Sequence, residues 1–228
     1  MLGAIIFDLD GVLADSHPAH KQAWSELLSS LGLNISPEEL EYVVEGRKRD
    51  EIMRHFLGKL SNEQIREYGL KKDSLFTKYS SGLQTIPGVR EFVGEVHAAG
   101  IATAVASSAG GKRVEANLRQ LGISDYFPVV ITGDDVINGK PDPALFIKAA
   151  ERLNLPSEET LVCEDAVNGV QAAKAAGMKC LAIASAGREM MLSGAGADKI
   201  IRDFSSLALD ELRTLFESPE RSHAATAQ

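Results

Sequence analysis

The hydrophobic pattern begins with a continuous apolar run, Ala4 to Phe7, that ends at acidic residues. Such a run, rich in β-branched and aromatic side chains, is typical of a strand buried on both faces of a parallel sheet. Side chains two positions apart on an extended segment point the same way, so we expect Asp8 and Asp10 to share one face. Two anions that close need a cation. Asp10-Gly11 is also a common hairpin turn, so this stretch alone leaves both interpretations open.

Between residues 17 and 82 the apolar positions change to helical spacing. Ala23, Trp24, Leu27, Leu28 and Leu31 recur at intervals of three and four. Ser36-Pro37-Glu38-Glu39 predicts another helix, with Ser36 as its N-cap and Glu39 completing a capping box. Further helices are predicted over 50–57 and 62–79. The pattern therefore predicts a small helical unit inserted directly after the first strand.

Beyond Ile86, helices and strands alternate regularly. The predicted helices cover 89–99, 112–121, 143–153, 169–176 and 207–216, and the predicted strands cover 101–106, 129–131, 160–163, 179–184 and 199–201. This alternation predicts an α/β fold, a Rossmann-like parallel sheet with helices on both faces, plus a small inserted α-helical cap domain. We expect residues 1–15 and 83–217 to form the core and 16–82 the cap. Residues 218–228 lack an apolar face and predict a disordered tail.

Charge and composition exclude several classes of protein. The net charge is -8, which argues against a nucleic-acid surface, since phosphate backbones require clustered basic side chains. The first apolar run is neither a signal peptide nor long enough to cross a membrane, so we expect a cytoplasmic protein with no membrane partner. Cys163 and Cys180 lie in separate apolar runs, which predicts buried free thiols. We expect a monomer or a weak homo-oligomer.

Polar side chains follow the predicted strands at their carboxyl ends, where parallel sheets bind ligands. Asp8 and Asp10 leave the first strand, Ser107 and Ser108 the second, Lys140 follows the third, and Glu164 and Asp165 leave the fourth. Each has a simpler explanation by itself, such as a helix cap for Ser107 or a solvated turn for Lys140. Together, carboxylates, a hydroxyl and one cation at consecutive strand ends favour a metal-assisted attack on a phosphoryl group.

These residues resemble the motifs of the haloacid dehalogenase superfamily over nearly the entire chain. The stretch from Asp8 to Leu13 matches the first motif and Ser107 the second. Gly139-Lys140-Pro141-Asp142-Pro143 matches the third, and Glu164-Asp165 with Asn168-Gly169 matches the fourth. The helical insertion looks like the α-helical cap of that superfamily. The chain is similar to its β-phosphoglucomutase-like phosphatases and mutases.

The resemblance implies a role for each residue of the core site. Asp8 would be the nucleophile that forms an aspartyl-phosphate, and Asp10 would be the general acid and then the general base. Ser107 would hydrogen-bond the transferring phosphate, and Lys140 would offset the negative charge. The implied cofactor is Mg²⁺, held by Asp8, the backbone carbonyl of Asp10 and Asp165, with Glu164 steadying a ligand water.

The resemblance also implies that residues near the cap select the substrate. Arg49 matches an arginine that relatives point at a second phosphate or carboxylate. His20 and Lys72 match cap residues used near the general acid. Gly46 and Ser108 complete the predicted substrate-binding set. The alternative for the basic cluster over 46–50 is a solvated surface.

We therefore expect a Mg²⁺-dependent phosphatase that hydrolyses a small phosphorylated metabolite, such as a sugar phosphate, through an aspartyl-phosphate. A β-phosphoglucomutase-like isomerase is the alternative. Against it, Ala109-Gly110-Gly111 replaces the Ser, Lys and Asn with which the mutases hold a distal phosphate, although Lys112 or Arg113 could take over that anion. A receiver-like signalling domain or phosphosugar sensor is a third hypothesis. It is disfavoured because receivers carry the phospho-acceptor on a middle strand of the sequence.

Overall fold

A computed structural model describes residues 1–185 and 187–217, so the predicted tail lies outside the described residues. The strands are β1 Ala4–Phe7, β2 Ala102–Ala106, β3 Val129–Ile131, β4 Thr160–Glu164, β5 Lys179–Ile183 and β6 Lys199–Ile201. The α-helices are α1 His17–Ser30, α2 Arg49–Leu57, α3 Asn62–Tyr79, α4 Val89–Ala98, α5 Gly111–Leu121, α6 Ala144–Leu153, α7 Val167–Ala175, α8 Glu189–Gly194 and α9 Leu209–Arg213. The described residues also contain five 3₁₀ helices, Glu39–Val44, Ser124–Tyr126, Gly133–Asp135, Ser157–Glu159 and Thr214–Phe216.

The six strands form one sheet in the order β3-β2-β1-β4-β5-β6, and every neighbouring pair is parallel. The chain builds outward from β1 in one direction and then returns to add β4 on its other side. This reversal is the position at which α/β sheets bind ligands, outside the carboxyl ends of the strands. The predicted Rossmann-like parallel sheet is confirmed.

Helices cover both faces of the sheet because the strands are apolar on both. Ile5 and Phe7 of β1 pack in a core with residues of α4, α5 and α9. Ile6, which points the other way, packs in a second core with residues of α6, α7 and α8. All four residues of β1 are fully buried. The strand that carries Asp8 at its end is therefore held rigidly from both sides.

The helices α1, α2 and α3 lie between β1 and α4 in sequence and have a core of their own. Trp24, Leu27 and Leu28 of α1 pack there against Ile52 and Met53 of α2. The prediction that helices are inserted after the first strand is confirmed, since α1, α2 and α3 follow β1. Its domain boundaries at residues 16 and 82 stay a prediction. Within the described residues, no helix is both long and apolar enough to cross a membrane.

The helix predicted from Ser36 onward is wrong in type. Ser36 and Glu39 do form reciprocal hydrogen bonds, 3.0 Å from the Ser36 N–H to Glu39 Oε2 and 3.3 Å from the Glu39 N–H to Ser36 Oγ. The segment nevertheless continues only as the 3₁₀ helix Glu39–Val44. Two residues later Gly46 has a φ of +72°, a left-handed conformation that directs the chain away from a helical path.

Two further differences lie in the last third of the chain. The helix predicted over 207–216 is shorter, α9, and is followed by the 3₁₀ helix Thr214–Phe216. Helix α8 was not predicted. Only Leu192 of its residues is buried, while Met190 is 85% exposed, so no apolar stripe of helical spacing marks it. Cys163 and Cys180 are buried and free, as predicted.

Candidate active site

The candidate active site lies where the carboxyl ends of the central strands face the inserted helices. Asp8 directly follows β1, Ser107 directly follows β2, and Glu164 ends β4. A cavity of about 410 Å³ opens at this edge of the sheet. The residues predicted from sequence that line it are Asp8, Asp10, His20, Gly46, Arg49, Lys72, Ser107, Ser108 and Asp165. Lys140 and Glu164, also predicted, are buried beside Asp8.

A buried lysine joins two of the carboxylates. Lys140 Nζ lies 2.6 Å from Asp8 Oδ1 and 2.5 Å from Glu164 Oε1. The other oxygen of Glu164 accepts the backbone N–H groups of Asp165 and Ala166, each at 2.8 Å. Because these N–H groups belong to the turn into α7, they fix the Glu164 carboxylate. Glu164 in turn fixes Lys140 against the predicted nucleophile.

The charges in this cluster do not balance. Burial would lower the pKa of Lys140, but Asp8 and Glu164 outweigh it and raise that pKa, so the amine stays protonated. Burial raises the pKa of Asp8 to about 8, because the lowering effect of Lys140 does not offset it and Glu164 raises the value further. When Asp8 is ionised, one cation faces two buried carboxylates, which leaves excess negative charge beside Asp8. An additional cation at this position would remove that excess.

The donor groups present fit Mg²⁺. Within residues 1–185 and 187–217, no three His, Cys, Asp or Glu side chains are grouped so that they could hold a metal ion. The predicted site needs fewer, since it uses the carboxylates of Asp8 and Asp165 with the backbone carbonyl of Asp10. Mg²⁺ takes hard oxygen ligands of this kind and completes its shell with water and substrate phosphate. Asp8 and Asp165 both line the same cavity.

Asp165 has a partner that the sequence did not indicate. His17 Nε2, at the start of α1, lies 3.1 Å from Asp165 Oδ2. Both groups approach Gly11 so closely that a Cβ there would overlap them, and Gly11 has a φ of +79°. Burial would lower the pKa of His17, but the Asp165 carboxylate outweighs it and raises this pKa. His17 therefore orients the predicted metal ligand from the side of the inserted helices.

The carboxylate of Asp10 accepts hydrogen bonds from three side chains. Ser16 Oγ donates to Oδ1 at 2.7 Å, and His20 Nε2 lies 3.2 Å from the same oxygen. Arg113 binds in a bidentate manner, with Nη1 2.9 Å from Oδ1 and Nη2 2.8 Å from Oδ2. Burial would raise the pKa of Asp10, but Arg113 and His20 outweigh it and hold that pKa well below its usual range. The Asp10 carboxylate is therefore fully ionised and accepts four hydrogen bonds.

His20 links Asp10 to a buried lysine. Lys72 Nζ lies 2.8 Å from His20 Nδ1, and burial, reinforced by Lys72, lowers the pKa of His20 to about 3. The imidazole is therefore neutral. Nδ1 accepts from Lys72, so Nε2 carries the hydrogen and donates to Asp10. Burial and the nearby Arg113 lower the pKa of Lys72 to about 7.

The other predicted substrate-binding residues are held by protein contacts. Arg49 Nη1 lies 2.5 Å from Asp73 Oδ2 at the mouth of the cavity. Ser108 Oγ donates to the carbonyl of Gly46 at 2.8 Å and so connects the strand edge to the inserted segment. Ser107 is buried, and its Oγ accepts the Ala109 N–H at 3.2 Å. Their roles toward a substrate stay predictions.

Comparison with known proteins identifies the family of this chain. The family model of the haloacid dehalogenase-like hydrolases matches residues 5–183. The chain belongs to this family. The predicted resemblance, the fold class and the assignment as a phosphoric monoester hydrolase of the haloacid dehalogenase type are confirmed.

Several haloacid dehalogenase-like proteins are similar in sequence or structure. The phosphorylated carbohydrates phosphatase of Thermotoga maritima is 35% identical over 178 residues, which are 77% of this chain and 82% of that protein. The chloroplastic protein SUPPRESSOR OF QUENCHING 1 of Arabidopsis thaliana is 32% identical over 228 residues, 93% of this chain but only 21% of that protein. The crystal structure of a β-phosphoglucomutase from Clostridium difficile has a TM-score of 0.86 at 25% identity, covering 95% of this chain and 97% of that one.

Three contacts of this site could not be read from the sequence. Ser16 and His17 follow the first motif without any pattern of their own, and only the folded chain places them on Asp10 and Asp165. The sequence marks Arg113 as a basic residue at a helix start but does not indicate that it binds Asp10. His17 and Arg113 reach the site from the starts of α1 and α5, and Ser16 lies in the same loop as Asp10, where only the folded turn brings the two together.

Proposed function

We propose that this protein is a Mg²⁺-dependent phosphatase that hydrolyses a small phosphorylated metabolite, in particular a sugar phosphate. The observation that carries the proposal is the buried contact of Lys140 with Asp8 at the central strand end, with Asp10 two residues further on and a cavity above both. The similarity to a phosphatase of phosphorylated carbohydrates supports the substrate class. Residues 16–82 would form the cap that closes over the substrate.

In this proposal Asp8 and Asp10 divide the reaction into two steps. For the first step Asp10 must carry a proton, which requires that the substrate complex release hydrogen-bond donors that keep it ionised here, such as Arg113. A carboxylate oxygen of Asp8 attacks phosphorus, the ester P–O bond breaks, and Asp10 gives its proton to the leaving oxygen. Asp10 then takes a proton from a water molecule that attacks the aspartyl-phosphate, which releases phosphate and restores Asp8. Lys140 and Ser107 hold the phosphoryl oxygens during both steps.

Mg²⁺, held by Asp8, the Asp10 carbonyl and Asp165, would supply positive charge to the phosphoryl oxygens. Glu164 would not bind the metal directly but would hydrogen-bond one of its water ligands. The glutamate also holds Lys140 in place.

A β-phosphoglucomutase-like isomerase is the second candidate, favoured by the structural similarity to such a mutase. A mutase must hold a sugar bisphosphate long enough for it to turn round, which requires anion-binding groups on both sides of the sugar. Arg49 offers one on the side of the inserted helices. On the core side, Ala109, Gly110 and Gly111 offer no anion-binding side chain, and the Arg113 guanidinium beyond them is paired with Asp10 in this structure. Hydrolysis is therefore the first choice.

The test is to supply β-glucose 1-phosphate with Mg²⁺ and a trace of its 1,6-bisphosphate, within a wider set of sugar phosphates. We expect steady release of inorganic phosphate from one or more of the monophosphates and no activation by the bisphosphate. Rapid formation of glucose 6-phosphate with negligible free phosphate would instead establish the mutase. The Asp8→Asn variant should be inactive in either reaction and still fold, because the amide keeps the shape but cannot form an acyl-phosphate.

A further inference from the structure

We propose that Arg113 is a specificity-determining residue that occupies Asp10 until an anionic group of the substrate, separate from the reacting phosphate, draws it away. The site would then favour phosphorylated substrates with a second anion near the leaving oxygen. The inference rests on the proposed function and names a feature of its substrate.

The first support is the completeness of the contact. Asp10 receives two hydrogen bonds from Arg113, one from Ser16 and one from His20. Three of these donors fall on Oδ1, which has about two lone-pair sites, and Arg113 Nη2 donates to Oδ2, so Arg113 occupies both oxygens. To exchange a proton with a leaving oxygen or a water molecule, Asp10 needs an oxygen that Arg113 does not occupy. Arg113 holds both oxygens and is the donor whose loss would free the most of the carboxylate.

The second support is the position of Arg113. It lies in the first turn of α5, two residues after Gly111, and its side chain is 19% exposed to the cavity. Its guanidinium lies 5.0 Å from the centre of the Phe76 ring, a contact without a hydrogen bond, so the ring does not fix its position. A guanidinium binds carboxylates and phosphates with the same two-pronged geometry. It can therefore exchange Asp10 for a substrate anion at little cost.

The third support is a surplus of positive charge around Phe76. Lys72 is 3% exposed, its Nζ lies 4.9 Å from the centre of the same ring, and within the described residues it forms no ion pair. Its only hydrogen-bonding partner there is neutral His20. A buried amine without a counter-ion is costly, and burial with the nearby Arg113 lowers its pKa. An anion bound beside Arg113 would also neutralise Lys72.

The experiment compares phenyl phosphate with 3- and 4-carboxyphenyl phosphate, which differ by a carboxylate on the same leaving group. For each we measure kcat and KM with the wild-type protein, Arg113→Gln and Arg113→Lys. In Arg113→Gln, the kcat/KM preference for the carboxylated substrates should fall about tenfold, the loss expected for one charge-assisted hydrogen bond. The kcat for phenyl phosphate should rise, because Arg113 no longer occupies Asp10. Arg113→Lys should retain part of the preference, since it keeps the charge without the two-pronged geometry.

Arg119→Gln is the matched control, because it removes the same charge from the exposed side of the same helix. It should leave the preference unchanged. An equal loss with all three substrates in Arg113→Gln, or an unchanged preference, would overturn the inference and leave Arg113 a structural residue. Should the wild-type protein release no phosphate from any phosphorylated compound, the proposed function itself fails. Melting temperatures establish that each variant is folded.

Discussion

Among single residues, Gly169 is required by the position of Glu164. Gly169 lies in the first turn of α7, and a Cβ at this position would overlap the Glu164 carboxyl group that holds Lys140. We expect Gly169→Ala to push Glu164 away from Lys140. The free energy of unfolding should fall by about 1–3 kcal/mol from overpacking. Phosphatase kcat should fall by about tenfold or more, because Lys140 loses its support beside Asp8.

Gly94→Ala provides the control for a glycine replaced inside a helix. Gly94 lies within α4, and the nearest atom to an added Cβ is the Tyr126 hydroxyl at 3.8 Å. This variant should be more stable by about 0.5–1 kcal/mol and unchanged in activity. Urea unfolding and phosphate release measure both effects. Equal behaviour of the two variants would show that Glu164 does not require the space at Gly169.

The residues of the site differ in how far the sequence could indicate them. Asp8 and Lys140 occur in motifs whose spacing places them at strand ends, and the structure brings their side chains within 2.6 Å. His17 and the contact of Arg113 with Asp10 have no such motif. They depend on how α1 and α5 approach the ends of β1 and β4, which is a property of packing between distant segments.

At the scale of elements, Asp198 joins the last strand to the rest of the sheet. Directly before β6, it contacts Lys174 of α7 at 2.6 Å, Lys179 of β5 at 3.1 Å and the Cys180 N–H at 2.8 Å. Burial would raise the pKa of Asp198, but these hydrogen bonds outweigh it and lower that pKa. The carboxylate therefore stabilises the folded edge of the sheet in its ionised form.

We expect Asp198→Asn to lower the free energy of unfolding at neutral pH by about 1–3 kcal/mol, the range for hydrogen bonds to a charged group. A carboxyl whose folded pKa is lowered contributes stability above its unfolded pKa and loses it as the pH falls through the folded value. The difference between wild type and variant should therefore shrink as the pH falls below about 4. Urea unfolding across this pH range measures it, while kcat at neutral pH should not change.

The matched control is Asp210→Asn. Asp210 is 85% exposed at its side chain and, within the described residues, pairs only with Arg213 one turn away in α9. Its loss should alter stability by no more than about 0.5 kcal/mol. A comparable loss in both variants would show that the contacts of Asp198 do not hold β6.

The elements that the sequence predicted well are those buried on two sides. Each strand is a short apolar run because both of its faces meet helices, so its limits are visible in the pattern. Helix α8 buries only Leu192, and the segment after Ser36 is too short to show a helical period. Neither segment buries enough apolar surface to give the sequence a recognisable hydrophobic pattern of helical spacing.

At the scale of the whole molecule, the buried charges of the candidate active site lower the stability of the fold. The sheet order places β1 at the centre, so Asp8 is surrounded by protein and lies near both Glu164 and Asp10. The order of the strands was not predictable from the pattern, because an apolar run marks each strand but not its neighbours in the sheet. Without a metal ion, two buried carboxylates share the single charge of Lys140. Catalysis needs this excess of negative charge, while folding does not.

The stability of the metal-free protein should therefore decline with pH because of Asp8. Its folded pKa of about 8 lies above the usual value, so between about pH 4 and pH 8 the folded state binds more protons than the unfolded state. Raising the pH through this window then favours unfolding. In Asp8→Asn, Lys140 faces Glu164 alone and this decline should disappear.

Melting temperatures in a chelator at pH 5, 6, 7 and 8 should diverge between the two proteins, with the variant more stable at pH 8. Adding Mg²⁺ should raise the wild-type melting temperature at pH 8 and affect Asp8→Asn much less, because the variant lacks one carboxylate ligand. Parallel pH curves, or an equal response of both proteins to Mg²⁺, would contradict both the charge imbalance and the placement of the metal at Asp8.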